Sequence, residues 1–194
     1  MLALLRAGGR SRRARGHKAC RRFQGRTWLA WQCKTLRAAG FRQIRVVLGR
    51  QPGRAVRCLP QGIKRRWNPR ARTGPFSSLQ TGLRGQPHST LLLPLDVPLP
   101  DRATLYRLAR ACRHQPAALP ISHGRGGHPV MLGKSLVRRL QGLDSSDPAS
   151  RQDWQLRLSG AARTPTRNPF VGMNLNRQRD WRAFLRTRAA APRP

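Results

Sequence analysis

The sequence predicts an α/β domain of three layers built on a mostly parallel central sheet. Strand-length apolar runs alternate with segments of helical period along the whole chain, and two of those runs lead straight into glycine or aspartate. The third observation is length: 194 residues suffice for one domain with a real core, within the usual span of about 100–200. A single domain is expected over residues 1–188, with 189–194 as a frayed tail.

Residues 2–5 form a short apolar run that ends in Ala7-Gly8-Gly9, a strand running into a glycine turn. Leu29, Cys33 and Leu36, with Trp28 and Trp31 beside them, keep helical spacing until Gly40 supplies a stop. Residues 44–49 read as a second strand. After a polar stretch, 74–83 reads as a turn feeding a short helix, and 90–95 as a buried strand ending on Asp96. Asp101 stands where an N-cap belongs, ahead of Leu105, Leu108, Ala109 and Cys112 at i, i+3, i+4 and i+7. Residues 129–132 read as a strand, 134–143 as a helix, and 145–150 as a polar linker that caps a segment around Trp154. The last element is a basic helix over 178–188 carrying Trp181, Phe184 and Leu185. Trp28, Trp31 and Trp181 lie on apolar helix faces, where burial is expected rather than base stacking.

Charge is the anomaly of the composition. Forty Lys and Arg face six acidic residues, for a formal net charge of +34, and glutamate is absent. Self-repulsion on this scale opposes compaction and attracts polyanions. The basic residues run from Arg6 to Arg193 rather than forming one tail, so both a coding bias and a nucleic-acid-binding surface stay open. No stretch approaches the ~18–20 apolar residues of a membrane span, and no membrane partner is expected. Cys20, Cys33, Cys58 and Cys112 form no CxxC pair and no zinc-finger spacing, so they read as buried or free thiols of a reducing cytoplasm. The Arg-rich, acid-free opening mimics a mitochondrial presequence. The first motif nevertheless begins at Ala7, which favours a cytoplasmic protein.

Two constellations carry chemistry. Ala7-Gly8-Gly9-Arg10-Ser11-Arg12-Arg13, followed by Lys18, comes directly after a strand. Paired glycines let backbone N–H groups approach a triphosphate, and Arg13 and Lys18 supply compensating charge. The loop is neither a Walker A motif nor a GxGxxG fingerprint. The second is Asp96 in Leu95-Asp96-Val97-Pro98, at the carboxyl end of an apolar run, where ligands of open α/β sheets bind. A carboxylate there suits Mg²⁺, which takes one or two carboxylates plus phosphate oxygens. A turn-capping aspartate before proline is the alternative.

Together with Gly74-Pro75-Phe76-Ser77-Ser78-Leu79 and Gly82-Leu83, then Gly127-His128-Pro129-Val130, then Asn174-Leu175-Asn176 with Asp180-Trp181, these motifs resemble the successive signatures of MobA-like NTP transferases. The ordered set spans residues 2–185. The resemblance implies a Rossmann-like nucleotidyltransferase fold and Mg²⁺-dependent transfer of NMP from GTP or CTP to a phosphorylated acceptor such as molybdopterin, with release of pyrophosphate. It assigns Ala7, Gly8, Gly9, Ser11 and Arg13 to the NTP phosphates, and Lys18 to the α-phosphate; Arg13 and Lys18 are the catalytic pair. Gly74, Ser77 and Ser78 approach the base. Asp96 matches the metal-binding aspartate and Asn176 the second metal-contacting position. His128 belongs to a turn that shapes the acceptor side. The mechanism needs no general base, because the acceptor phosphate is already anionic.

The chain departs from the family pattern at Ala14 and Arg15, where Met-Gly is usual, at His17, often acidic, and at Arg6, usually apolar. Arg177-Gln178-Arg179-Asp180 stands where Thr-Pro-Glu-Asp is common. Acids are lost and arginines gained, so an arginine-rich RNA- or DNA-binding protein on a degenerate transferase scaffold is the competing expectation.

Overall fold

The computed structural model describes residues 1–8, 17–49, 53–144 and 160–190. Its centre is an eight-stranded mixed sheet with parallel pairing through its middle. β1 (Leu2–Ala7) lies between β4 (Gln43–Leu48) and β6 (Thr90–Pro94), parallel to both, and β5 (Lys64–Trp67) adds a parallel edge beside β4. On the other side β9 (Val130–Leu132) runs antiparallel to β6 and to β7 (Ala117–Ser122). β10 (Ala162–Pro165) closes that end parallel to β7, while β8 (Arg125–Gly126) pairs back onto β7. A separate ribbon joins β2 (Arg22–Phe23) to β3 (Arg26–Thr27). β1 and β6 are buried on both faces, which is why they read as unbroken apolar runs rather than alternations.

Helices cover both faces. On one side α1 (Trp28–Ala38), α2 (Gly53–Arg57), α4 (Arg102–Ala111) and α6 (Gln178–Ala190) pack over Ala3, Leu5, Val46, Leu91 and Leu93. On the other, α3 (Pro75–Leu83) and α5 (Lys134–Gln141) pack over Leu2, Leu4, Val47 and Leu92. Asp101 caps α4 as expected, its carboxylate accepting from the Thr104 N–H at 2.7 Å. Thr27 does the same for α1, accepting from Ala30. The expected linker at 145–150 and the segment around Trp154 lie outside the described residues. α6 runs to Ala190, two residues past the expected end.

Beside the two-residue β2, β3 and β8, three longer strands were hidden from periodicity. β5 is Lys-Arg-Arg-Trp with every residue exposed, and β7 and β10 each carry a proline. Pairing with a neighbour defines them, and no local pattern records that. The expectation of four unlinked thiols is corrected as well: Cys20 and Cys58 are joined in a disulfide, Cα to Cα 5.8 Å, across 38 residues of sequence. The fold seats the turn that ends at Cys20 against α2, a proximity that the spacing of cysteines could not reveal. Cys33 and Cys112 stay unlinked, their thiols pushed up by burial to about 12 and about 11.

Trp28, Trp31 and Trp181 are buried. They form one aromatic cluster with Phe23 and Phe184, in which Trp28 and Trp31 stack at 5.0 Å and Trp181 meets Trp28 edge-on at 4.9 Å. No helix among the described residues is long and apolar enough to cross a membrane.

Candidate active site

The carboxyl ends of β1 and β6 open one cleft of about 280 Å³. Strand ends carry backbone groups that no ladder satisfies, so loops gather polar atoms there. Ala7 and Gly8 line the cleft from β1, Leu95 and Asp96 from β6, Gly74 and Ser78 from the start of α3, and His17 and Lys18 from the turn before β2.

Lys18 is the junction of the site. Its ammonium donates to Asp96 Oδ2 at 3.0 Å and to Asn176 Oδ1 at 2.5 Å, joining residues 78 and 158 positions away. The carboxylate and the amide oxygen therefore converge on one point. Asn176 is itself placed by Asp180, whose Oδ2 accepts from the N–H groups of Asn176 and Arg177 at 3.0 and 2.7 Å. Asp180 thus compensates the start of α6 while fixing the loop before it.

The Asp96 loop is held on all sides. Trp28 Nε1 donates to the Leu95 carbonyl and Gln32 Nε2 to the Val97 carbonyl, both at 2.6 Å and buried. The Leu95 N–H donates to the Arg6 carbonyl, and the Leu175 N–H to the Asp96 carbonyl at 2.7 Å. Four bonds to three consecutive residues fix the backbone, so that the carboxylate faces the cleft and meets Lys18 there.

On the opposite wall Asn68 organises the start of α3. Its amide donates to Ser77 Oγ at 3.0 Å and Ser78 Oγ at 2.9 Å, and its oxygen accepts from the Arg70 N–H. Ser77 is buried, its hydroxyl donating to the Arg70 and Gly74 carbonyls, whereas Ser78 lines the cleft. Gly74 sits at φ 115, a conformation that side chains disfavour, and turns the chain into α3. Gly49 packs on Gly8: a Cβ on Gly49 would lie 2.5 Å from the Gly8 carbonyl oxygen. Gly9, Ser11 and Arg13 lie outside the described residues.

Sequence reasoning missed Asn68, Trp28 and Gln32 as parts of the site. For Asn68 the available signal was an Asn-Pro turn dipeptide ahead of Gly74. For the other two there was none, because a hydrogen bond to a distant carbonyl leaves no mark on spacing.

Arg6 enters the cleft from the end of β1, donating to the Pro75 carbonyl at 3.1 Å. Burial pulls its pKa down and Asp96 pulls it back up. His128 is neutral at neutral pH: burial, then Arg6, push it down to about 4 against the opposing pull of Asp96, and its buried Nδ1 has no hydrogen-bond partner. His17, also lining the cleft, is lowered by burial and by Arg54.

The profile of the MobA-like NTP transferase domain matches residues 3–159. The chain belongs to the MobA-like NTP transferase family. Among curated proteins none matches it by sequence. Solved structures share its fold. Rv0371c from Mycobacterium tuberculosis superposes with a TM-score of 0.77 at 21% identity, covering 95% of this chain and 97% of that one. A nucleotidyl transferase from Methanothermobacter gives 0.74 at 22%, covering 96% and 98%. Molybdopterin-guanine dinucleotide biosynthesis protein A from Archaeoglobus fulgidus gives 0.70 at 17%, covering 98% and 100%. At these identities the likeness establishes architecture, and the chemistry of this transferase rests on its own cleft.

Proposed function

We propose that this transferase moves NMP from GTP or CTP to a phosphorylated acceptor of the molybdopterin type, releasing pyrophosphate, with Mg²⁺ as the divalent cation. The observation that carries the reading is the convergence of Asp96 and Asn176 on Lys18 at the carboxyl end of the sheet. Their donor set fits a hard cation: one carboxylate and one amide oxygen meet at a point, which leaves further positions for phosphate oxygens. Rv0371c has been solved as a complex with manganese.

When bound there, the cation neutralises charge on the phosphates and favours departure of pyrophosphate. Everything else falls to the protein's own groups. The Gly8-Gly9 turn, with Ser11 and Arg13, cradles the triphosphate, and Lys18 exchanges its contacts with Asp96 and Asn176 for an α-phosphate oxygen. Gly74 and Ser78 border the base, with Ser77 and Asn68 fixing their wall. An acceptor phosphate oxygen attacks the α-phosphorus in line; the new P–O bond forms as the bond to pyrophosphate breaks, and no proton has to move. A neutral His128 suits this scheme because it adds no charge and is not required as a base.

The deciding assay is pyrophosphate release from GTP and from CTP with Mg²⁺ and a molybdopterin acceptor, beside Asp96→Ala. Release that depends on Asp96 and on one nucleotide supports the transferase and identifies its donor. No release with either nucleotide, together with RNA binding that is equal in both proteins and falls with salt, favours the binder on a degenerate scaffold.

A further inference from the structure

Three tryptophans of the described residues are buried in the aromatic cluster, and one stands apart. Trp67, at the end of β5, is 60% exposed. β5 is the edge of the sheet, paired to β4 on one side only, and all four of its residues are exposed. The Trp67 indole face is thus offered to solvent beside an unpaired sheet edge, where an aromatic partner could stack.

The surroundings specify that partner's chemistry. A hollow of about 320 Å³ beside β5 is lined by Arg65, Arg66, Trp67, Arg70 and Arg84, with Asn68 and Thr81, and no acidic side chain lines it among the described residues; Asp144 lines the adjoining hollow. None of these four guanidinium groups donates a hydrogen bond or joins an ion pair among the described residues. Guanidinium groups without a partner among the described residues, gathered beside an exposed indole, match a chain of phosphates with stackable bases. Stacking on an indole needs an unpaired base, which a single strand offers and a duplex does not.

We propose that the β5 edge is a binding site for single-stranded nucleic acid, in which Trp67 stacks on a base and Arg65, Arg66, Arg70 and Arg84 hold the flanking phosphates. The site does not depend on the transferase reading. With a net charge of +34 the whole surface attracts polyanions, so the proposal lies in the location and in the stacking. The molecule carries its own control. The outer face of α4 also exposes an aromatic residue among arginines, Tyr106 with Arg102 and Arg110, and Arg113 follows the helix, but there the aromatic residue lies on a helix face rather than at an open strand edge.

The test measures the affinity of a fluorescein-labelled single-stranded oligouridylate, by anisotropy, across a salt series. Four variants are compared with the native chain: Trp67→Ala, Trp67→Phe, the triple Arg65→Ser/Arg66→Ser/Arg84→Ser, and the equally charged triple Arg102→Ser/Arg110→Ser/Arg113→Ser. Trp67→Ala is expected to weaken binding about tenfold with an unchanged salt slope, and Trp67→Phe to restore most of it. The β5 triple is expected to lower the salt slope by about 2, as three phosphate contacts require, and the α4 triple to change both quantities far less. Equal losses in the two triples, an inert Trp67→Ala, or a duplex bound as tightly as the single strand would each overturn the proposal. So would binding of phosphatidylserine vesicles in preference to the oligonucleotide. An Asp96→Ala protein should bind the oligonucleotide normally, which separates failure here from failure of the enzymatic reading.

Discussion

The two faces of the sheet are packed by different chemistry, and only one of them reaches into the catalytic loop. Beneath α3 and α5 the core is largely aliphatic, with Leu4, Leu79, Leu83, Leu92 and Leu140 nearly inaccessible. Beneath α1 and α6 it is aromatic, with Trp28, Trp31, Trp181 and Phe184 in mutual contact. Leucine can only fill space. Tryptophan and glutamine fill space and also donate a hydrogen bond, which is how α1 grips the carbonyls on either side of Asp96. Packing and positioning are thus separable on one face and fused on the other.

Substitutions can break that distinction. The largest effect is expected within the cleft itself: Asp96→Ala should lower pyrophosphate release about a thousandfold or more, worth about 4 kcal/mol, with thermal stability little changed. Leu79→Ala, on the aliphatic face, should cost about 2–5 kcal/mol in urea unfolding, while turnover per folded molecule stays near the native value. Should turnover collapse along with stability, the aliphatic face would be positioning the site too, and the contrast would fail.

A third measurement follows the buried His128 through pH. His128 titrates at about 4 when folded, against 6.5 for the free side chain. The unfolded chain therefore binds its proton first, and stability that is complete above pH 6.5 is lost as the pH falls towards 4. The loss is on the order of 2 kcal/mol near pH 4.5. His128→Gln should lose correspondingly less between neutral pH and that value, as read from urea midpoints.

The smallest change is the most telling for the comparison. Gln32→Met keeps the volume but removes the donor to Val97. It should cost only about 1 kcal/mol of stability, partly offset because the native Gln32 Oε1 is itself buried without a partner. Turnover should nevertheless fall about tenfold, since the Asp96 loop loses one of its restraints. A variant that loses stability alone would show that α1 merely packs against the loop.

Much of the scaffold was readable before any tertiary information, for a definite reason. β1, β6 and α4 write their burial into residue spacing, and Asp101 announces its cap because the Thr104 N–H it meets is three residues away. The order of the motifs likewise pointed to the family that the domain profile identifies. The site was legible only in part. Lys18, Asp96 and Asn176 were named from motif order, yet nothing in their spacing says that they touch. The clamps from Trp28 and Gln32 were not visible at all, the bracing by Asn68 had only an Asn-Pro turn as its sign, and Arg6 stood out only as a charge where the family pattern is apolar.

By itself, then, the sequence determined what is local: the period of each strongly buried segment, the turns that glycine permits, the caps, and the excess of positive charge. The tertiary structure alone decided what depends on distant pairing. It made an edge strand of the fully exposed Lys64–Trp67, linked Cys20 to Cys58, and brought residues 18, 96 and 176 to one point. The physical reason is that periodicity records whether a side chain is buried, whereas strand order and loop closure decide which atoms, far apart along the chain, meet across the sheet.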